Sequence, residues 1–158
     1  MDPAQWIATF RLTHEQAKRG SLGPSELKKY LGMRDELARS LMSAQRLDIP
    51  EGVAPRRALK VAHVFPIEIS NVYRTTTREI SCTGFTALVA AMFKEGDSVP
   101  WSLTVNRTDP PIVGDARVVS APKQSPTSTR LSVVFVNLDE PKLLRLEQAL
   151  FDAALSRF

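Results

Sequence analysis

The spacing of hydrophobic residues changes near residue 60, and this change limits the folds available to the chain. Before it, apolar residues recur every three or four positions, as they do along amphipathic helices. After it, apolar and polar residues alternate in short runs, as they do along strands with one buried face. Residues 49–55 lie between the two regions and contain two prolines and a glycine, which interrupt regular structure. The sequence therefore predicts helices, then a linker, then a mostly β region.

Two helices are predicted within residues 1–47. The first begins with Asp2 as its N-cap and Pro3 in its first turn, and it ends before Gly20. The second begins at Pro24 and runs to about Arg46. Because only about five residues separate the two helices, we expect an antiparallel hairpin. Their apolar stripes either bury against each other and the rest of the chain, or in part bind a partner or a second copy.

Short strands follow the linker. Six runs have the alternation of strands and are separated by polar turns instead of helices, which favours a small antiparallel barrel. Pro100 predicts an edge or a bulge in its strand. A final helix begins at Asp139 or Glu140, and Pro141 fits its first turn. The predicted strands are residues 61–69, 72–79, 85–89, 99–105, 112–121 and 131–136.

The predicted fold class is an all-β core, a six-stranded antiparallel β-barrel with a C-terminal helix, preceded by an N-terminal α-helical hairpin. A length of 158 residues allows one compact domain with a short extension. We assign residues 1–47 to the helical extension and residues 48–60 to a linker that carries a basic motif. Residues 61–158 then form the barrel and its C-terminal helix.

The composition is typical of a globular protein, with 43% hydrophobic and 24% charged residues. The sequence has no run of 18 apolar residues, so no membrane-spanning helix is predicted. Its first residues lack the pattern of a secretory signal, and the lone cysteine, Cys82, fits a reducing compartment. The net charge of +4 and the 7% of aromatic residues are too low for a nucleic-acid surface. We therefore expect a cytoplasmic protein that does not bind nucleic acid.

Few residues could support catalysis. The chain has two histidines and one cysteine. We predict that His14 lies on the surface of the first helix, that His63 is either packed inside the barrel or at its rim, and that Cys82 fills a turn or the rim. Metal-ligand spacings such as CxxC and HExxH, and glycine-rich phosphate loops, do not occur in the sequence. The prediction is no catalytic residue, no metal and no cofactor; an enzyme that pairs His63 with Cys82 is a third hypothesis.

One group of residues is suited to an anionic ligand. Arg56, Arg57 and Lys60 precede the first strand, whereas Ser81 and Gly84 follow the second. Arginine can hold a phosphate, or the O6/N7 edge of guanine, with two hydrogen bonds. A serine hydroxyl and a glycine that permits close backbone approach could complete a guanine-nucleotide site. The alternative is that the three cations belong to a solvated linker and that residues 80–84 form an ordinary turn.

The order of these residues resembles that of a known signalling module. Residues 56–155 are similar to a PilZ domain, the bacterial receptor for cyclic di-GMP, and this resemblance implies a PilZ-like barrel. The family carries an RxxxR motif before its first strand and a [D/N]xSxxG motif after its second. In this chain the two motifs read Arg56-Arg57-Ala58-Leu59-Lys60 and Glu79-Ile80-Ser81-Cys82-Thr83-Gly84.

Two motif positions depart from the family pattern, because Lys60 replaces the second arginine and Glu79 replaces the aspartate or asparagine. Lysine keeps the positive charge but lacks the planar fork that brackets a guanine. The longer glutamate brings a negative charge near an anionic ligand, and Arg57 could compensate for Lys60 if the loop shifts register. The resemblance thus implies a degenerate cyclic di-GMP site, formed by Arg56, Arg57, Lys60, Glu79, Ser81 and Gly84.

For function, the resemblance implies a non-enzymatic bacterial adaptor that regulates motility, polarity or surface structures and binds cyclic di-GMP weakly or conditionally. Its partners would be a protein of a motility, pilus or polarity system, and a second copy bound through the N-terminal helices. Such an adaptor would lie in the cytoplasm or be recruited to a cell pole or a motility complex. The alternative is a ligand-independent protein–protein interaction module with a non-functional nucleotide pocket.

Overall fold

The computed structural model of the chain describes residues 2–158, which form two compact units. The helical unit comprises residues 2–59 together with 155–158, and the barrel unit comprises residues 60–154. The helices are α1 (Pro3–Lys18), α2 (Pro24–Ala44), α3 (Pro55–Ala58) and α4 (Glu140–Leu155). The strands are β1 (Pro66–Ile69), β2 (Tyr73–Ile80), β3 (Gly84–Val89), β4 (Ser98–Leu103), β5 (Ile112–Ser120), β6 (Lys123–Ser125) and β7 (Ser128–Val136).

The two predicted N-terminal helices are present as α1 and α2. At the start of α1, the Asp2 carboxylate accepts the Gln5 backbone N–H at 2.9 Å, which is the expected N-cap bond. After α1, Gly20 adopts a φ of +69°, a left-handed conformation that ends the helix at little steric cost. The two helices pack through aromatic rings, with Phe10 stacked on Tyr30 at a centroid distance of 5.6 Å.

His14 is buried, so the prediction that it lies on the surface of α1 is wrong. Its ring stacks near that of Phe10, four residues earlier on the same helix face, and its Nδ1 atom is hydrogen-bonded to the Tyr30 hydroxyl. The same hydroxyl accepts a 2.6 Å bond from Nε of Arg34, whose guanidinium also lies over the Tyr30 ring. The Tyr30 hydroxyl of α2 therefore gives the buried His14 ring a hydrogen-bond partner within the core.

We expect Tyr30→Phe to lower the free energy of unfolding by about 1.5 kcal/mol, because it removes a buried hydroxyl that is hydrogen-bonded to His14 and accepts a bond from Arg34. Urea denaturation followed by circular dichroism measures this change. Tyr73→Phe is the matched control: Tyr73 lies half-buried at the start of β2, its ring edge-on to Phe93, and its change should stay within about 0.5 kcal/mol. Equal losses in the two variants would show that the buried hydroxyl contributes nothing of its own.

The predicted six-stranded antiparallel barrel is confirmed. Its strands follow the order β3-β2-β1-β4-β5-β7, and pairing of β3 with β7 closes the ring. The short strand β6 only pairs with β7, as the other arm of a hairpin. Alternate side chains of the strands fill the interior, as expected for a small barrel. Those with no exposed surface include Ile69, Leu103, Ile112 and Leu131.

The first strand is shorter than predicted. We expected residues 61–69, but β1 comprises only Pro66–Ile69, and Val61 forms an isolated bridge with Ile80. The Thr77 side chain takes the place of part of the ladder: its Oγ1 accepts the Phe65 backbone N–H at 3.0 Å and donates to the His63 carbonyl at 2.7 Å. The register of β2 against β3 also shifts between Thr77 and Glu79, which is typical of a bulge.

Two predictions about single residues at element ends agree with the structure. Asp139 accepts the Lys142 backbone N–H at 3.0 Å, so it caps α4 as predicted. Pro100 lies where β4 extends beyond its pairing with β1, so its missing N–H costs no ladder bond on that side. Three further segments differ from the prediction. The segment predicted to be a linker contains α3, a single turn at Pro55–Ala58. The short strand β6 was not predicted, and β7 begins three residues before the predicted start.

Candidate functional site

A cavity of 230 Å³ lies on the barrel unit where β2 ends and β3 begins. Its lining combines polar side chains, those of Thr83 and Thr86 among them, with apolar ones. Four of the six residues that the sequence singled out lie together here, namely Lys60, Glu79, Ser81 and Gly84.

Backbone pairing places Lys60 at this cavity. Val61 and Ile80 exchange two hydrogen bonds of 2.9 Å each, one in either direction. This bridge fixes the residue before Val61 alongside the end of β2, where Glu79 and Ser81 flank Ile80. A single bridge therefore places Lys60, the last residue of the first motif, beside the second motif.

Lys60 and Glu79, which both line the cavity, form an ion pair with 3.8 Å between Nζ and Oε2. Their side chains are 48% and 44% exposed, so water screens the pair and its contribution to stability is small. The pair matters more for ligand binding than for stability, because the Glu79 carboxylate offsets the positive charge with which Lys60 would attract an anionic ligand. The two positions that depart from the family pattern are thus partners of each other.

Ser81 organises the turn between β2 and β3. Its hydroxyl accepts the Thr83 backbone N–H at 3.1 Å and is hydrogen-bonded to the Thr83 hydroxyl at 2.7 Å. Its backbone N–H donates to the Gly84 carbonyl at 2.9 Å. The Thr83 carbonyl in turn accepts the Phe135 N–H of β7 at 2.9 Å. Sequence analysis missed Thr83, although a serine followed two residues later by a threonine is a recognisable turn signal.

Gly84 is required by the close approach of two strands. A Cβ atom built at this position would lie 1.9 Å from the carbonyl oxygen of Val133 in β7. The glycines of the described chain that have a positive φ are Gly20, Gly52 and Gly96, so backbone conformation does not explain the choice of glycine here. Gly84 therefore permits close packing at the junction that closes the barrel.

Arg56 and Arg57 belong to the helical unit, where they lie in α3. One carboxylate of α2, that of Asp35, binds Arg56 twice: Oδ1 accepts the backbone N–H at 3.0 Å, and Oδ2 accepts a guanidinium N–H at 2.8 Å. Arg57 is half-buried, and its backbone N–H donates to the Ala54 carbonyl at 2.9 Å. No sequence signal indicated Asp35, because 21 residues separate it from Arg56.

The remaining candidate residues lie in ordinary packing environments. His63 is half-buried, and its ring packs on Phe65 at 4.5 Å. Cys82 is buried within the turn that follows β2 and forms no disulfide. Among residues 2–158, no group of three or more histidine, cysteine, aspartate or glutamate side chains is placed to bind a metal ion. Within the same residues, none of the helices has the length and hydrophobicity to span a membrane.

Comparison with solved structures identifies proteins of similar fold. The PilZ domain of YcgR from Escherichia coli, solved with cyclic di-GMP, superposes with a TM-score of 0.50 at 17% identity, over 62% of this chain and 88% of that domain. The barrel is PilZ-like.

Two longer proteins show the same likeness. The inhibitor of motility MotI/DgrA from Bacillus subtilis matches with a TM-score of 0.54 at 16% identity, over 63% of this chain and 50% of that one. E. coli YcgR in complex with cyclic di-GMP matches with a TM-score of 0.51 at 18% identity, over 62% and 45%. This chain therefore spans about half the length of both PilZ-like proteins. No protein-family model and no curated protein matches the sequence.

Proposed function

We propose that the chain is a non-enzymatic signalling adaptor of PilZ type that binds cyclic di-GMP weakly or conditionally at a degenerate site. The observation that carries this proposal is the cavity that gathers Lys60, Ser81 and Gly84 on a PilZ-like barrel. Arg56 would complete the site. It lies four residues before Lys60, so the extended chain keeps their Cα atoms within about 14 Å of each other.

Three features of the cavity argue for weak binding. Its volume of 230 Å³ is smaller than that of common ligand pockets, about 300–1,000 Å³, so a dinucleotide would place only part of itself inside. Glu79 brings a negative charge to a ligand that carries two phosphodiester charges. The Ser81 hydroxyl already makes two hydrogen bonds with Thr83, which leaves less of its hydrogen-bonding capacity for a ligand.

Regulation of motility, pili or polarity is the role we assign to this adaptor, through contact with a protein of such a system in the cytoplasm or at a cell pole. One protein of similar fold is named an inhibitor of motility. The helical unit would provide the contact surface for that partner or for a second copy. Its exposed side carries a groove lined by apolar residues, among them Trp6, Ile7 and Leu41.

Isothermal titration calorimetry of the full chain with cyclic di-GMP tests the proposal. We expect saturable binding that Arg56→Ala weakens about tenfold, because one guanidinium contact to phosphate or guanine is lost. Arg107→Ala is the control, since it removes the same charge from a loop outside both motif segments. Absence of heat in the wild type and in every variant would exclude the nucleotide-binding part of the proposal.

A ligand-independent interaction module is the second candidate function. The Lys60–Glu79 ion pair and the Ser81–Thr83 hydrogen bonds favour it, because they let the corner satisfy its own polar groups without a ligand. In that case the barrel would serve as a scaffold and the helical unit as the docking surface. Titration of a variant whose motif positions are restored, described in the Discussion, separates the two functions.

A further inference from the structure

Asp35 makes two hydrogen bonds with Arg56 that fix the position of its side chain. It lies in the middle of α2, and both of its carboxylate oxygens are used: one on the Arg56 backbone N–H and one on the guanidinium. The side chains of Asp35 and Arg56 are 19% and 25% exposed, so water screens this pair far less than it screens Lys60 and Glu79. A charge-assisted bond in such surroundings is among the stronger hydrogen bonds.

The bond from Asp35 to the Arg56 backbone N–H ties the ion pair to the helical conformation of α3. Arg56 belongs to the single turn α3, whose N-cap residue, Ala54, offers no side-chain cap bond. Asp35 supplies the missing acceptor from another helix, at 3.0 Å. The same carboxylate therefore stabilises the turn that carries Arg56 and occupies the end of the Arg56 side chain.

From this geometry we infer that Asp35 is an intramolecular competitor for Arg56, which an anionic ligand must displace before it can use that guanidinium. The inference rests on the proposed function and assigns its regulation to one carboxylate of the helical unit. The competitor and the ligand phosphate have the same chemistry, since both are oxyanions that accept guanidinium N–H groups.

Competition between Asp35 and the ligand for Arg56 sets the apparent affinity of the site for the ligand. When a binding-competent state is only partly populated, the observed dissociation constant rises by the inverse of that fraction. Coupling of this kind is reciprocal, so ligand binding would release Asp35 and any change that weakens the Asp35 contact would strengthen ligand binding. A partner protein that binds α2 could therefore alter nucleotide affinity without touching the barrel cavity.

Asp35→Asn in the full chain tests the inference, because the amide keeps an acceptor for the Arg56 backbone N–H but loses the charge. The matched control is Glu36→Gln, which removes the same charge from the adjacent, exposed residue of α2. Two measurements are needed: the reactivity of Arg56 with phenylglyoxal in the absence of nucleotide, read by mass spectrometry, and the affinity for cyclic di-GMP, read by calorimetry.

We expect Asp35→Asn to raise the reactivity of Arg56 and to tighten binding about tenfold, or about 1.4 kcal/mol, while Glu36→Gln changes neither. Reactivity that is unchanged in Asp35→Asn overturns the inference whether or not nucleotide binds. Raised reactivity with affinity equal to that of Glu36→Gln also overturns it, and leaves the proposed function intact if the wild type binds. If Arg56 becomes reactive but no variant binds, the proposed function fails together with the competition that depends on it.

Discussion

Gly84→Ala is expected to lower the free energy of unfolding by about 3 kcal/mol or more, because the new methyl group cannot fit between β3 and β7. Its carbon would lie 1.9 Å from the Val133 carbonyl oxygen and 3.1 Å from the Val134 Cα, and both obstacles are backbone. Neither can rotate away as a flexible side chain would. The two strands must move apart at the junction that closes the barrel, where β3 and β7 pair from Gly84 to Val89.

Thermal unfolding followed by circular dichroism measures the loss, which corresponds to a fall in Tm of about 10 °C for a chain of 158 residues. Gly32→Ala is the control. Gly32 lies in α2 with open space around it, so the same substitution should raise the free energy of unfolding by about 0.5–1 kcal/mol. A Gly84→Ala protein as stable as the wild type would mean that the two strands do not approach so closely.

Restoring both altered motif positions should strengthen nucleotide binding about 100-fold. In Lys60→Arg with Glu79→Asp, the arginine regains a planar fork worth about 1–3 kcal/mol in a two-bond contact. The shorter aspartate draws its carboxylate back from residue 60, where the wild-type pair is 3.8 Å apart, and so leaves the cation available to the ligand. Calorimetry with cyclic di-GMP gives the two dissociation constants.

The single variant Glu68→Asp with Arg74 unchanged is the control for this experiment. These two residues form another exposed ion pair of the barrel unit, at 3.6 Å, outside both motif segments. Shortening that glutamate should leave the affinity unchanged. If the restored double variant releases no heat at high nucleotide concentration, the cavity is not a nucleotide site and the ligand-independent module becomes the better account of the chain.

Local signals in the sequence were sufficient for most of the architecture. Asp2 and Asp139 marked helix starts because an N-cap needs only a side-chain oxygen and the next three backbone N–H groups. Strand alternation gave six barrel strands, since each reflects burial on one face. These signals depend on neighbours within a few residues, and such neighbours are visible in a linear chain.

Contacts between distant residues account for what the sequence did not predict. The interruption of the first strand depends on the Thr77 hydroxyl, which binds backbone groups of residues 63 and 65. Burial of His14 depends on Tyr30 in α2. The ion pair of Arg56 depends on Asp35, which also lies in α2. None of these partners is marked by spacing or composition, because side-chain hydrogen bonds between separate elements follow no period.

The close contact at Gly84 affects how this motif should be read in diverged barrels. A glycine that is indispensable for joining two strands would persist in a descendant that had abandoned its nucleotide, and a serine that shapes the preceding turn could persist for the same reason. Retention of this glycine and this serine then reflects the needs of the fold and carries little information about ligand binding. The residues that report on binding are those that can change without harming the scaffold, and the exposed ion pair of Lys60 and Glu79 is of that kind.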